Sequence, residues 1–381
     1  MKYVDKIIFR NKETYNRLYQ GSELLFEVQK EPVELDYLTF TAIEPSTIKY
    51  EPSRVASAQY SYDKVNWDYA YDITLNLNTG DKVYFKGDII DNHSNSIYAK
   101  FIMTGKVAAS GSVMSLQAGN PKDKTLKYHY EFYQLFRDCT SLVKAPELPA
   151  TTLTEDCYSS MFLGCDSLTE APELPAKTLA PYCYHYMFFS CNSLVTAPEL
   201  PSTELSNYCY YDMFNGCTSL VTAPELHSTT LAEGCYYNMF YNCTSLTAAP
   251  ELPATTLAKS CYFGMFFACR SLTTAPALPA TTLAGSCYSS MFYGCSSLTT
   301  APDLPATTLV DYCYSYMFYG CTKIKLSTTK TGEYQTVYRI PKSGTGTTAT
   351  GALSDMFFNT GGTFAGTPSI NTTYYTSNTV V

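Results

Sequence analysis

Residues 157–182 read CYSSMFLGCDSLTEAPELPAKTLAPY, and residues 183–208 read CYHYMFFSCNSLVTAPELPSTELSNY. Tyr158, Met161, Phe162, Cys165, Leu168, Pro172 and Leu174 each return 26 positions later. Within and on either side of these two stretches, cysteines stand at 139, 165, 191, 217, 243, 269, 295 and 321, with a second series at 157, 183, 209, 235, 261, 287 and 313. The two series account for all 15 cysteines of the chain. A period of this length marks a stack of one small unit, each copy covering the apolar face of its neighbour.

Within a unit, Leu153, Cys157, Met161 and Cys165 are spaced by fours, which predicts one stripe of a helix. In the other half, Pro172 cannot donate to a ladder, which confines any strand to the two or three residues before it. Strand, proline-rich turn, helix and return is a leucine-rich-repeat unit, and the predicted class is an α/β solenoid. Its ends are degenerate. Glu131 and Leu135 replace the first cysteine and the methionine at one end, and Thr360 replaces a cysteine at the other. Arrays need such altered end copies to avoid sticking to one another.

Before the repeats, short alternating runs such as Tyr37 to Ile43, Ile73 to Leu77 and Lys82 to Lys86 predict an all-β, sandwich-like region. Tyr3 to Phe9, Tyr15 to Tyr19 and Glu23 to Val28 predict a small meander. The expected divisions are 1–35 (attachment module), 36–120 (β-sandwich-like domain), 127–326 (solenoid with amino-terminal cap) and 327–381 (insertion and degenerate cap). Trp67, the one tryptophan, reads as core, with a ligand platform as the alternative.

The formal charge of −8 is unevenly placed. Between 139 and 320 four basic residues (Lys144, Lys177, Lys259, Arg270) face fourteen acidic ones, so the array carries −10 and the remainder +2. Such a surface repels nucleic acid. No run reaches the roughly 18 apolar residues of a membrane span. Met1 to Glu13 has no apolar core of secretory length, so no export address is expected. Cys157 and Cys165, eight apart on a helix, would be about 12 Å from each other, beyond the roughly 7 Å limit for a bridge. The cysteines therefore read as buried free thiols acting as small hydrophobes, with occasional bridges or metal as the alternative.

Met291-Phe-Tyr-Gly-Cys-Ser-Ser-Leu-Thr-Thr-Ala-Pro-Asp-Leu-Pro305 resembles the BspA-like leucine-rich repeats of gut and oral bacteria. The variant carrying Ala-Pro-x-Leu-Pro-Ala-Thr-Thr-Leu is similar to proteins of Bacteroides-group bacteria and of their phages and prophages. The resemblance spans about 127 to 360 and implies surface recognition or adhesion. Lys6-Ile-Ile-Phe, followed by Leu18-Tyr-Gln-Gly-Ser-Glu-Leu-Leu-Phe, resembles a small module of gut-phage virion proteins. This reading implies a phage virion component, in the tail or a fibre, whose amino-terminal region holds other virion proteins and whose repeats meet a bacterial surface glycan or protein. The alternatives are a bacterial cell-surface adhesin and a structural virion decoration without receptor. A homo-oligomer is compatible with each.

No catalytic constellation is visible. His93, His129, His185 and His227 are scattered, and no nucleophile-elbow, phosphate-loop or zinc spacing occurs. An enzyme is not expected, nor a resident cofactor. Two surface features are candidates for recognition. One is an acidic column inside Ala-Pro-x-Leu-Pro, made of Glu147, Glu173, Glu199, Glu225, Glu251 and Asp303, with Ala277 breaking it. Calcium or a basic partner would suit such a column; a solvated edge is the plain alternative. The other is the pair after Cys-Tyr, expected to face away from the core: His185, Tyr186, Tyr211, Asp212, Tyr237, Asn238, Phe263 and Tyr316 stand there. Tyrosine with small polar residues is the vocabulary of adaptable binding surfaces, and exposed tyrosines suit sugar rings; packing or plain surface is the alternative.

Overall fold

A computed structural model describes residues 17–20, 23–27, 36–52, 57–89, 98–117 and 120–377. The predicted strand Tyr3 to Phe9, the Lys6 motif and His93 lie outside the described residues. The chain divides into two compact units, Met1–Asp36 and Tyr37–Val381. In the first, β1 (Arg17–Gln20) pairs antiparallel with β2 (Glu23–Glu27).

The second unit begins with eight strands: β3 (Leu38–Ala42), β4 (Ser46–Glu51), β5 (Ser57–Ser61), β6 (Asp68–Tyr69), β7 (Thr74–Leu77), β8 (Lys82–Asp88), β9 (Lys100–Thr104) and β10 (Val107–Ser110). Period-two alternation buries one face of each sheet. Leu38, Phe40, Val83, Phe85, Val107 and Ala109 point inward from one sheet, and Ile48, Tyr50, Leu75, Phe101 and Met103 from the other. The sheets meet through edge-to-face rings, Phe40 and Phe85 lying 4.9 and 5.0 Å from Phe101. Trp67 is not core: it is half-buried, with Tyr37 at its edge (5.0 Å) and the Lys86 ammonium 4.0 Å over its ring. In the first sheet, β11 (Leu142–Lys144) continues the order β11-β10-β3-β8-β5-β6; the second is β7-β4-β9.

The helix predicted in each repeat is absent. Among the described residues the chain is mostly β and turn, and its one helical element is the 3-10 turn Val113–Leu116. From 156 to 165 the backbone instead forms a ribbon of four-residue turns. The N–H groups of Ser159, Met161, Leu163 and Cys165 donate to carbonyls three residues back, at 3.1–3.2 Å. Those of Tyr158, Ser160, Phe162 and Gly164 donate into the next repeat, to Cys183, His185, Met187 and Phe189. An α-helix would keep all these bonds within itself, four residues back. Every fourth residue is left-handed: Asp156, Ser160 and Gly164 have φ of 53°, 55° and 73°.

The spacing itself carried the distinction. A helix stripe alternates threes and fours, whereas steps of four alone drift about 40° each around a helix. A turn ribbon of period four keeps Cys157, Met161 and Cys165 on one side without drift, and all three are fully buried.

The other half of the repeat behaves as the proline predicts. Glu170, Thr196, Thr222 and Ala248 form single parallel bridges in succession, and a second bridge column includes Thr178 with Glu204 and Thr256 with Thr282. Between bridges and ribbon the side chains stack. Phe136, Phe162, Phe188, Phe214, Phe240, Phe266, Phe292, Phe318 and Phe357 form a column with centroids 5.3–5.7 Å apart. Tyr158 to Tyr314 form a second, at 5.7–6.1 Å.

All fifteen cysteines are free and buried. The series from Cys139 to Cys321 has a role beyond filling space. Each thiol donates to a phenylalanine carbonyl of the preceding coil, as Cys191 Sγ does to Phe162 O and Cys217 Sγ to Phe188 O, at 3.0–3.1 Å throughout. From Phe136 onward that carbonyl already accepts the N–H three residues on, so the thiol satisfies its second lone pair.

The strands before the array supply its first coil. Phe101 stacks on Phe136 at 5.6 Å and 13°, its carbonyl accepts from Cys139 Sγ, and its N–H donates to Leu135 O. Val107 pairs with Leu142, and Ser112 bridges Glu147. At the far end β12 (Leu326–Ser327), β13 (Thr336–Arg339) and β14 (Thr373–Thr376) make a three-stranded sheet. Tyr338 of β13, buried, lies edge-on against Phe357 at 5.8 Å and closes the phenylalanine column.

Candidate recognition surface

The turn ribbon decides where the variable pair points. The second residue of the pair is the left-handed one in every repeat: Tyr186, Asp212, Asn238 and Tyr316 have φ of 52–55°, and Gly264 has 57°. Asn, Asp and Gly tolerate that conformation best. The backbone thus accounts for part of the small polar vocabulary there. The expectation that all these side chains face away from the core is corrected. Asp212, Ser159, Ser160, Ser289 and Ser315 are buried, His185, Tyr186, Tyr211, Tyr237, Asn238 and Phe263 are half-buried, and Tyr316 is exposed. Bonding each ribbon to the next at alternate N–H groups brings neighbouring side chains into contact and covers most of their area.

What remains visible is a band of stacked rings. Tyr182 lies 5.2 Å from Tyr208; Tyr211, Tyr237 and Phe263 follow at 4.8 and 4.5 Å. His185 sits between Tyr186 (4.1 Å) and Tyr211 (4.9 Å). A further column joins one turn along the ribbon: Tyr241, Phe267, Tyr293 and Tyr319 stack at 4.3–4.5 Å and end on Phe358 at 5.1 Å. Sequence reasoning missed this last column. Its members directly follow Met-Phe and read as continuing the core, although Leu163, Phe189 and Asn215 at the same position vary as freely as the pairs singled out.

Stacking has a chemical consequence. Rings lying within about 5 Å of each other cover one another's faces, so the band offers edges and hydroxyls to solvent. The electrostatics at its centre are set by burial. Desolvation pushes the Asp212 carboxyl up to about 6, opposed by hydrogen bonds from Asn215, Asn238 and Tyr211. Burial lowers His185 to about 4, leaving its imidazole neutral at physiological pH. Beside the band, Tyr208 donates to Glu233 (2.9 Å), which also holds Lys259 (2.9 Å).

The acidic column lies on the proline-rich side. Glu147, Glu173, Glu199, Glu225 and Glu251 are exposed, Asp303 is half-buried against Lys342, and His227 approaches Glu225 at 4.0 Å. Among the described residues no three His, Cys, Asp or Glu side chains converge to hold a metal ion. Glu147 and Glu173, with Lys144 and Glu170, line an open groove of about 370 Å³. His129 pairs with Glu155 at 3.1 Å, so the described histidines share no site. No helix among the described residues is long and apolar enough to cross a membrane.

A search of curated proteins and a search of solved structures each return no match. The family model of the BspA type leucine rich repeat region matches residues 132–247 and 235–335, with six copies. These stretches cover more than half of the chain and contain both cysteine series, the phenylalanine column from Phe136 to Phe318 and most of the aromatic band. Repeats of this type suggest protein–protein recognition or adhesion and are typically non-enzymatic. With this match over a backbone whose repeats bond coil to coil, the chain belongs to the BspA-type leucine-rich-repeat family.

Proposed function

We propose that the chain is a non-enzymatic recognition protein whose repeats form an elongated solenoid, closed at the amino-terminal end by a sandwich-like β region, and whose aromatic band binds a protein on a bacterial surface. The observation that carries this reading is the band itself: stacked rings kept half-exposed through successive repeats. Large, rigid aromatic side chains lose little entropy on binding and dominate the energetics of protein interfaces. Ring edges and tyrosine hydroxyls suit protein groups, whereas a sugar needs an open ring face, so the band favours a protein over a glycan. The charge of −10 across 139–320 favours a partner with a basic rim.

Within this reading, the resemblance of residues 6 to 26 to a virion module favours a phage tail or fibre over a bacterial adhesin, with the amino-terminal region attaching to the particle. Recovery of the native protein with purified particles supports that placement; recovery on washed cells supports the adhesin. Binding itself is tested with Bacteroides-group cells and the purified chain. Tyr211→Ser, Tyr237→Ser and Phe263→Ser together should reduce binding at least tenfold with unchanged melting, since Ser159, Ser289 and Ser315 occupy the same position in sister repeats. No binding by the parent protein, or full binding by the variant, refutes the reading.

A further inference from the structure

Four of the most exposed large apolar side chains lie within ten residues of each other, far from the repeats in sequence. Tyr62, Val65, Tyr69 and Tyr71 are 53, 77, 71 and 76% exposed. Tyr62 and Val65 sit in the loop joining β5 to β6, Tyr69 in β6 itself, the outermost strand of the six-stranded sheet, and Tyr71 just past it. Exposure here is not looseness. Asp63 Oδ1 accepts the N–H groups of Val65 and Asn66 and the Ser61 hydroxyl, and its Oδ2 accepts Asn66 Nδ2. Ser61 Oγ accepts the N–H of Lys64, and Trp67 Nε1 donates to Lys64 O. The loop is held rigid while its apolar groups stay in water, which marks a surface prepared for a ligand.

The rings differ from those of the repeats. Ala70 is buried and its N–H donates to Ala58 O, continuing the pairing with β5 past Tyr69, so Tyr69 and Tyr71 flank an inward-facing residue and both stand in solvent. Neither ring stacks on another ring among the described residues, in contrast to Tyr237 or Tyr293. Their faces are therefore open. Around them stand hydrogen-bond acceptors: Asp68 and Asn66, both exposed, and Asp72, whose carboxylate pairs with Lys49 at 3.1 Å. Open ring faces beside carboxylate and amide groups match a pyranose, whose C–H face packs on an aromatic ring while its rim hydroxyls donate to acceptors. Asp63, Asp68 and Asp72 are balanced by Lys64, Lys86 and Lys49 beside them, so the hairpin carries no net charge to attract an anionic membrane surface or an acidic glycan. The two-residue β6 gives an added peptide strand too few ladder bonds.

We propose that the β5–β6 hairpin is a saccharide-binding site for a neutral surface polysaccharide, built on Tyr69 and Tyr71 and independent of the aromatic band of the repeats. The chain carries its own reporter, because its single tryptophan, Trp67, lies two residues from Tyr69.

Affinity electrophoresis of the full chain in gels containing mannan, dextran, galactan or β-glucan tests this directly, with Trp67 emission followed in solution as the same polysaccharide is added. At least one gel should retard the protein and shift Trp67 emission. Tyr69→Ala with Tyr71→Ala should weaken both effects at least tenfold without lowering the melting temperature, as both rings are largely exposed. The Tyr211→Ser, Tyr237→Ser, Phe263→Ser variant should be retarded like the parent, which separates this site from the band. Absence of retardation in all four gels, or retardation undiminished in the Tyr69/Tyr71 variant, overturns the proposal.

Discussion

The buried tyrosine column offers a test of the repeat packing that needs no ligand. Tyr210 OH donates to Ser202 Oγ at 3.0 Å, and Ser202 Oγ donates in turn to Ala176 O at 2.9 Å. Tyr158, Tyr288 and Tyr314 have hydroxyls as deeply buried but without a partner. The residue eight positions earlier explains the difference: it is Ser202 for Tyr210, but Ala150, Ala280 and Ala306 for the other three. A buried, unpaired hydroxyl costs about 1–3 kcal/mol, and a satisfied one contributes about 1 kcal/mol net. Tyr288→Phe should therefore leave stability unchanged or raise it by about 1 kcal/mol, whereas Tyr210→Phe should lower it by about 1 kcal/mol. Ala280→Ser should stabilise, because the new hydroxyl meets Tyr288 OH as Ser202 meets Tyr210, and the gain should vanish in the Tyr288→Phe background. Urea unfolding followed by circular dichroism reads each change as a midpoint shift at constant slope. Equal losses for Tyr288→Phe and Tyr210→Phe, or no coupling between Ala280→Ser and Tyr288→Phe, would refute the packing.

Ala268 is held at φ 57°, in the column where other repeats carry Gly164, Gly216, Gly294 and Gly320. Ala268→Gly should stabilise by about 0.5–1 kcal/mol by removing the left-handed penalty, and the same urea assay would show a loss if the segment were helical. Burial raises Glu131 to about 7, from 4.5, while its Oε2 accepts the N–H groups of Lys127 and Tyr128. A carboxyl whose folded pKa lies above its unfolded one contributes stability below the unfolded value and loses it as pH rises through the folded value. Between pH 4.5 and 7 the parent should lose more stability than Glu131→Gln in parallel melts; identical pH profiles would contradict this. Thiol titration should find no reactive groups in the native unit and fifteen in the unfolded, unreduced protein, because burial pushes Cys217 up to about 12 and raises Cys165, Cys191, Cys243, Cys269 and Cys321 well above the ordinary thiol value; a count near one would mean bridges.

The period and the inward residues were legible because each repeat sets the same apolar residue against its copy, so Met161, Phe162, Cys165 and Leu168 could only be core. The form of the ribbon was misread. Steps of four fit both a short helix and a chain of turns, and only the third step, where a helix would have drifted, separates them. The same misreading placed the variable pairs wholly in solvent, when Asp212 and Ser289 are buried by coil-to-coil bonding. The thiol bonds to phenylalanine carbonyls left no trace in spacing, since any small apolar residue would have kept the period. Tyr241, Phe267, Tyr293 and Tyr319 were hidden by following Met-Phe, where a third apolar residue looks like more core. On the hairpin the rare residue, Trp67, is half-buried, while the more exposed groups are Tyr69 and Tyr71 beside it.

In the proposed function, the stacked band of the repeats binds a protein on a bacterial surface. Equilibrium binding of the purified chain to Bacteroides-group cells, before and after protease treatment of the cells, tests it most directly, with the Tyr211→Ser, Tyr237→Ser, Phe263→Ser variant alongside. The prediction is saturable binding by the parent, weakened by added salt, abolished by protease and at least tenfold poorer for the variant. Binding that survives protease and is the same for parent and variant would contradict it.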